Sequence, residues 1–320
     1  LWQGQQVPIT WAILHEMGCR IRFAHTSFIW KNLAKNRAGV TVIVVGIDLE
    51  QSGTRTIFTG ESRRTVANIN PYLTEHPIKI VEASRRPLFI EPTMDYGVYY
   101  SKSAGLIFSA AEKEQLIRDG FPANLIRRFL GSSEFINGDD RYCLWLDDSD
   151  LDTANAFANI AARIESVRKD RLETDDKAVN KLAVRPHQFR ERKGDERQKI
   201  FVPIVSSENR EYFPAGLADE NVIATNKAFY MGHAPLWCMA LLASRLHLVW
   251  IATICGRLRS DYSYSNTLGW NTFPVPLLTE QNKADLSNCA KAILLAREAH
   301  FPATIADLYD PENDITSDHY

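Results

Sequence analysis

The feature that most constrains this chain is the apolar run at residues 236–255. The run is long enough to cross a membrane, but Arg245 and His247 lie near its middle. The centre of a bilayer rarely tolerates either side chain. The run therefore predicts a buried core helix in a globular protein, with no membrane partner.

Directly after this run, residues 256–265 have the sequence GRLRSDYSYS. In an extended segment alternate side chains point the same way, so Arg259, Asp261 and Ser263 are predicted to share one face. An Arg can donate two hydrogen bonds to guanine, and a carboxylate can accept one from cytosine. Arg259 and Asp261 could therefore recognise one G·C pair. The alternative is an ion pair between them on the protein surface.

The composition is that of an ordinary globular protein with two or three structural units, because 45% of the 320 residues are apolar and 24% are charged. The chain begins at Leu1 without an initiator Met, and we expect it to be a fragment of something longer. The five cysteines are scattered and form no Cys-x-x-Cys pair. This usage is typical of reduced, buried thiols in a cytoplasmic protein, and we expect no metal site.

Charge is unevenly distributed, although the net charge is only −2. Residues 17–47 contain five basic and no acidic side chains, and residues 161–200 contain twelve basic and eight acidic ones. Basic working faces with acidic outer segments fit a nucleic-acid binder. A large solvated surface would give the same counts.

The predicted elements indicate a mixed α/β and α+β protein. A helix is predicted at residues 6–18 and a short strand at 21–25. The β-branched run at residues 40–47 is typical of a strand buried on both faces, with residues 55–59 as its antiparallel neighbour. Together they resemble the tail of an α/β sheet whose earlier strands are missing. Further along we predict strands at residues 200–205, 211–214 and 222–224, helices at residues 109–117 and 285–299, and a long polar helix or helix pair at residues 150–181.

Motifs of a self-contained enzyme are absent from the sequence. It has no Gly-x-Gly-x-x-Gly after a strand, no Walker loop and no Gly-x-Ser-x-Gly elbow. We therefore expect the catalytic and cofactor-binding core to precede Leu1.

Three weaker segments could contact nucleic acid. Residues 23–32 contain Phe28 and Trp30, which either pack a hydrophobic corner or stack on an extruded base. Residues 206–210, with Ser206 and Arg210, form either a turn or a set of phosphate and base-edge contacts. Asn226 and Lys227 follow a predicted strand, where an Asn could recognise adenine.

Eight ordered motifs carry a resemblance to a known family. They are QGQQV from Gln3, FAHTSFIW from Phe23, NINPYL from Asn68, FING from Phe135, RYCLWL from Arg141, VSSE from Val205, CGRL from Cys255 and NTFP from Asn271. In this order they resemble the C-terminal half of the MmeI-like (type IIL) restriction-modification enzymes, which are related to adenine-N6 DNA methyltransferases. The resemblance covers nearly the whole chain.

The resemblance implies three segments. Residues 1–60 would be the end of a Rossmann-like methyltransferase domain that uses S-adenosylmethionine, residues 61–275 the DNA target-recognition domain, and residues 276–320 a helical C-terminal segment. The cofactor-binding and catalytic motifs of the family would lie upstream, so this chain supplies no catalytic residue and no cofactor ligand. The partners would be double-stranded DNA and the upstream methyltransferase domain, with or without a nuclease.

The resemblance also assigns roles to individual residues. Phe28 or Trp30 would stack on the flipped adenine. Arg259 and Asp261 would contact bases, with Ser263 and a residue near Lys227 as further contacts. Because Ser263 is short where relatives carry long basic side chains, its base pair could be recognised differently or not at all.

Two other functions stay open at the level of sequence. The first is a specificity subunit without an enzyme partner. The truncated sheet of residues 1–60 argues against it. The second is a complete hydrolase using His25 and Glu208. We expect the isolated chain to bind DNA weakly and to methylate nothing.

Overall fold

The computed structural model describes residues 2–30, 40–49, 52–194 and 198–312. The chain divides into two compact units, each assembled from segments that are separate in the sequence. Unit 1 comprises Leu1–Glu91, Val205–Glu208 and Arg245–Leu277; unit 2 comprises Pro92–Ile204, Asn209–Ser244 and Leu278–Tyr320.

Strands and helices are numbered along the chain. The strands are β1 (Arg20–Trp30), β2 (Val40–Asp48), β3 (Arg55–Thr59), β4 (Ser62–Val66), β5 (Asp95–Tyr96), β6 (Ile107–Ser109), β7 (Ile126–Leu130), β8 (Arg141–Leu144), β9 (Gln198–Pro203), β10 (Val205–Ser206), β11 (Gly216–Asp219), β12 (Val222–Ala224), β13 (Ala228–Gly232), β14 (Gly256–Leu258) and β15 (Asp261–Ser263). The α-helices are α1 (Gln6–Glu16), α2 (Ala110–Arg118), α3 (Ser132–Asn137), α4 (Leu151–Asn155), α5 (Ala158–Leu172), α6 (Lys177–Asn180), α7 (Trp237–Ala243), α8 (Arg245–Ile254), α9 (Glu280–Ala299) and α10 (Ile305–Leu308). This mixture of small sheets and helices confirms the predicted fold class.

The first sheet of unit 1 has the strand order β2-β1-β3-β4. The helix predicted at residues 6–18 forms as α1, and its Val7 and Trp11 pack with Ile21, Ala24 and Ile57 of the sheet. The strand prediction for residues 40–47 is confirmed, but its burial on both faces is wrong. β2 is the edge strand of this sheet, with Val44 and Ile47 exposed.

The predicted pairing of residues 55–59 is also wrong. β3 forms as expected, but it pairs in parallel with β1 and antiparallel with β4. β1 lies between β2 and β3, so the two strands that are neighbours in sequence are not neighbours in the sheet. The hydrophobic pattern identifies the strands, but it does not determine their order in the sheet.

Unit 2 contains two four-stranded sheets, with the orders β11-β9-β13-β5 and β12-β7-β8-β6. Phe129 and Leu144 of the second sheet pack with Ile160 and Val167 of α5 in the main core. An isolated parallel bridge joins Val98 to Thr225, just after β12.

The apolar run is not one helix. The structure divides it at Ser244, whose backbone is extended, into α7 in unit 2 and α8 in unit 1. No single helix in the described ranges is long and apolar enough to span a membrane. α7 and α8 taken together have the required length and apolarity, but they are bent by 59° at the break between them. His247 is fully buried on α8, as a core interpretation requires, whereas Arg245 is exposed at its start.

The other element predictions are partly confirmed. α2 begins at a capping box formed by Ser109 and Glu112, and α9 contains the predicted C-terminal helix. The long helix or helix pair predicted at residues 150–181 forms three helices, α4, α5 and α6. Phe157 lies at the first break; its backbone is extended and its ring packs on Phe121, with the two centroids 5.2 Å apart. The strand predicted at residues 211–214 is absent from the described structure; Pro214, which cannot donate a ladder hydrogen bond, lies in this segment.

Candidate nucleic-acid interface

The segment that follows the apolar run forms a three-stranded sheet in unit 1, with the order β10-β15-β14. Leu258 pairs with Asp261 across the β14–β15 hairpin, and Gly256 pairs with Ser263. This register leaves Arg259 and Ser260 as a two-residue turn. The hairpin therefore presents its turn residues at the tip of a small sheet.

Arg259 lies in the turn and not in the strand, which corrects the predicted alternation. Asp261 and Ser263 share one face of β15, as expected, but the alternating pattern begins at Asp261 and does not set the direction of Arg259. Arg259 is exposed and has φ +60°, a left-handed conformation that costs a non-glycine residue about 1–2 kcal/mol. Among the described residues no salt bridge joins Arg259 to Asp261. The alternative of a simple surface ion pair is therefore not what the structure contains.

Arg257, which was not among the predicted site residues, fixes the shape of this turn. Its Nη1 donates to the carbonyl oxygen of Ser260 at 2.6 Å and to Oε2 of Glu208 at 2.8 Å. Its guanidinium also lies over the ring of Tyr262, 4.7 Å from the centroid. One side chain thus connects β14, β15 and the turn. No residue type in the local sequence marks these contacts, because one acceptor is a backbone carbonyl and the other is the carboxylate of the distant Glu208.

Ser206 lies on β10 and pairs with Tyr262 of β15. It is only 2% exposed, so a direct contact with DNA would require this strand to move. Arg210, from the same sequence cluster, is half-buried and belongs to unit 2. Their contribution to an interface stays a prediction.

Asn226 and Lys227 form the tight turn between β12 and β13 of unit 2. The backbone N–H of Asn226 donates to the Val98 carbonyl at 2.9 Å, and the Lys227 carbonyl accepts from the Ser132 hydroxyl at 2.5 Å. The Lys227 side chain is exposed and that of Asn226 is half-buried. The turn therefore holds an amide and a cation at a fixed position.

The aromatic segment lies along β1. Phe28 is half-buried, Trp30 is 54% exposed, and their ring centroids are 6.3 Å apart. The two residues are at alternate positions of one strand, so both keep the same face available for stacking. Lys31 and Asn32, the basic end of this segment, lie outside the described residues.

The residues proposed for a hydrolase are both engaged in packing or pairing. His25 stacks on Phe58 with ring centroids 4.3 Å apart, and Glu208 accepts the hydrogen bond from Arg257. Across the described ranges no group of three His, Cys, Asp or Glu side chains could hold a metal ion. All five cysteines are free, and four of them are buried while Cys289 is exposed.

The base of the hairpin is anchored by a buried pair. Tyr264 directly follows β15, and its hydroxyl lies 3.0 Å from Nε2 of His247 on α8. The His247 ring also packs edge-on against Phe273, with centroids 4.6 Å apart. Burial lowers the pKa of His247 to about 3 and raises that of Tyr264 well above its ordinary value. The pair is therefore neutral near pH 7.

Because His247 is buried in its neutral form, we expect the protein to lose stability in mild acid. Between the unfolded pKa of 6.5 and the folded value of about 3, the unfolded chain binds a proton that the folded chain does not. The free energy of unfolding therefore falls as the pH falls through this window, by about 1 kcal/mol from pH 7 to pH 5.5. Urea unfolding at both pH values should show this loss in the native protein and a smaller one in His247→Gln. Equal losses in the two proteins would contradict the assignment.

Comparisons with known proteins agree with the motifs. Residues 75–277 match the family model described as MmeI, target recognition domain, and residues 1–59 match MmeI, DNA-methyltransferase domain. A protein of Bacillus subtilis (strain 168) named DNA methyltransferase A is 37% identical over 312 residues, which are 97% of this chain and 35% of that protein. The structure of the type IIL restriction-modification enzyme MmeI in complex with DNA matches with a TM-score of 0.90 and 34% identity, over 98% of this chain and 43% of that one.

The fold and the matched models first define a class, in which methyltransferase-domain residues are followed by a DNA target-recognition domain. Within that class, the chain belongs to the MmeI family. The resemblance inferred from the eight motifs is thereby confirmed. The chain spans about a third of the Bacillus subtilis relative and less than half of MmeI.

Proposed function

We propose that this chain is the sequence-recognition part of a DNA methyltransferase of a restriction-modification system, acting on adenine N6 in the cytoplasm. The observation that carries the proposal is the match of nearly the whole chain to MmeI, a structure solved with DNA. Residues 1–60, 61–275 and 276–320 would be the end of the methyltransferase domain, the target-recognition domain and a helical C-terminal segment. The partners would be double-stranded DNA and the rest of the methyltransferase domain.

The methyl donor would be S-adenosylmethionine, bound by another part of the full-length protein. The residues of this chain do not fit the cofactor. Among the described residues of the sheet β1–β4, no strand leads through a glycine-rich turn into a helix. That turn is where a Rossmann-type fold holds its cofactor. We therefore assign no cofactor contact and no methyl-transfer step to residues of this chain.

Base recognition would centre on the hairpin. Arg259 at the exposed turn would donate to O6 and N7 of a guanine, while Asp261 on β15 would accept from N4 of the paired cytosine. Arg257 and Glu208 are positioning residues, because they hold the turn and do not themselves need to reach a base. Ser263 would face the neighbouring base pair.

Further contacts would come from unit 2 and from β10. Asn226 would recognise adenine and Lys227 would contact a phosphate or a base edge, both from a turn that backbone hydrogen bonds hold in place. Arg210 would add phosphate or base-edge contacts, and Ser206, which is 2% exposed, would do so only if β10 moved. Phe28 or Trp30 would stack on the adenine after it leaves the duplex, a step that costs a few kcal/mol of base stacking and pairing.

A specificity subunit without an enzyme partner is disfavoured. Residues 1–59 match a DNA-methyltransferase domain model, and a pure recognition subunit has no use for that domain. The hydrolase alternative is disfavoured because His25 and Glu208 are occupied by Phe58 and Arg257.

Methylome sequencing of a host that carries the full-length gene tests the proposal. We expect N6-methyladenine within one short asymmetric motif, absent from the host without the gene. The chain expressed alone should leave the host DNA unmodified, because it lacks the cofactor site. Methylation of cytosine only, or no new modification from the full-length gene, would overturn the proposal.

A further inference from the structure

Two consecutive arginines in unit 1 occupy an exposed loop whose position is fixed. Arg85 and Arg86 are both exposed, and the chain on either side of them is attached to the segment that follows β15. The backbone N–H of Ser84 donates to the Thr267 carbonyl at 2.9 Å, and that of Leu88 donates to the Asn271 carbonyl at 2.8 Å. The loop at residues 84–88, here the diarginine loop, is thus pinned at both ends.

Two side chains strengthen these attachments. Nδ2 of Asn271, a residue only 3% exposed, donates to the Ser84 carbonyl at 2.8 Å. The Ser84 hydroxyl in turn donates to the carbonyl oxygen of Arg86 at 2.5 Å, which closes the loop on itself. A surface loop of this length ordinarily moves freely, whereas this one has a buried amide dedicated to holding it. Its arginines are therefore presented at a defined place.

No carboxylate among the described residues forms a salt bridge with the guanidinium groups of the diarginine loop. Among the described residues neither Arg85 nor Arg86 makes a salt bridge or a side-chain hydrogen bond. Four other arginines of unit 1 lie within 4.0 Å of a carboxylate: Arg22 and Arg55 of Asp48, Arg64 of Glu75 and Arg257 of Glu208. Arg85 and Arg86 instead are two adjacent exposed cations on a backbone held at both ends, an arrangement suited to an anion.

We propose that Arg85 and Arg86 bind the phosphate backbone of the DNA that the hairpin recognises, an inference that rests on the proposed function. Arginine presents a planar fork that matches two phosphate oxygens, and phosphate contacts fix the register of a protein on a duplex. The anchors of the loop, Thr267 and Asn271, belong to the segment that directly follows the hairpin. A phosphate held by the diarginine loop therefore sets the position of the duplex relative to Arg259 and Asp261.

Salt dependence of binding tests the proposal. The full-length protein and its R85Q/R86Q variant are titrated with a fluorescent duplex of arbitrary sequence at several salt concentrations. Each phosphate contact contributes about 0.9 to the slope of log affinity against log salt, so the variant should lose about two in slope. Near 0.1 M salt its affinity should fall by roughly 10-fold or more. An unchanged slope would overturn the proposal.

Two matched variants separate a local contact from a general charge effect. R168Q/K169Q removes the same charge from α5, where Arg168 is already paired with Glu165, and should leave the slope nearly unchanged. R85K/R86K keeps both charges and should keep most of the slope. If R168Q/K169Q lowers the slope as much as R85Q/R86Q does, net charge explains the effect and the diarginine loop has no special role.

The same titrations separate a failure of the proposed function from a failure of the role proposed for the diarginine loop. If the native full-length protein fails to bind duplex DNA, the proposed function itself fails. If the native protein binds and methylates DNA while R85Q/R86Q binds with an unchanged slope, only the role of the diarginine loop fails. We expect R85Q/R86Q to methylate the same motif as the native protein, but more slowly at moderate salt.

Discussion

Gly97→Ala is expected to destabilise unit 2 by about 2–3 kcal/mol, a large effect for the addition of one methyl group. A Cβ at this position would lie 2.5 Å from the carbonyl carbon of Ala224 and closer still to the carbonyl oxygens of Ala224 and Thr225. All of these are backbone atoms, so no flexible side chain can move away. The chain segments would have to separate.

Backbone hydrogen bonds join the segments on the two sides of this close approach. The Gly97 N–H donates to the Ala228 carbonyl at 3.1 Å, and the Val98 N–H donates to the Ala224 carbonyl at 2.7 Å. Separating them would weaken the same contacts that hold the turn with Asn226 and Lys227. Gly97→Ala should therefore reduce DNA binding as well as stability.

Hydrogen exchange in the full-length protein measures this effect locally. We expect protection to fall in β12 and β13 and to persist in β1 and β3 of unit 1. Gly256→Ala is the matched control for stability, because a Cβ there would meet no atom within 4 Å and its φ is not in the left-handed region. Equal protection in Gly97→Ala and in the native protein would show that the close approach at Gly97 is relieved without cost.

Much of the fold was accessible from the sequence because local signals were strong. The capping box at Ser109 and Glu112 predicted the start of α2, and the β-branched run identified β2. The pairing of strands was not accessible, since β1 separates β2 from β3. Likewise the apolar run could not reveal that Ser244 divides it between two units.

The candidate site shows the same division between local and tertiary information. Residue types in the 256–265 segment indicated base recognition, and the hairpin does present Arg259 on an exposed turn. The turn itself was missed because neither Arg nor Ser is typical of a two-residue turn, which favours Gly or Asn. Arg257 was missed because its partner Glu208 is distant in sequence. Polar contacts between distant segments leave no local periodicity to detect.

Asp261→Ala in the full-length protein is expected to relax methylation specificity at one base pair of the recognition motif. Removing the acceptor for a cytosine N4 group should reduce discrimination at that position by about 10- to 100-fold, which corresponds to the 1–3 kcal/mol of a good base contact. Stability should change little, because Asp261 is half-buried on a short strand and makes no salt bridge within the described chain. The motif is read from methylome sequencing of the host.

Arg259→Ala supplies the decisive comparison. If Arg259 and Asp261 recognise the two halves of one G·C pair, both variants must relax the same position of the motif, and the double variant should relax it no further than the stronger single one. Asp175→Ala, which removes an exposed carboxylate from the loop after α5, should leave the motif unchanged. Relaxation at two different positions would mean that each residue contacts its own base pair. An unaltered motif in both variants would mean that the hairpin does not contact bases directly. The turn held by Arg257 would then recognise the shape of the DNA or contact its phosphate backbone.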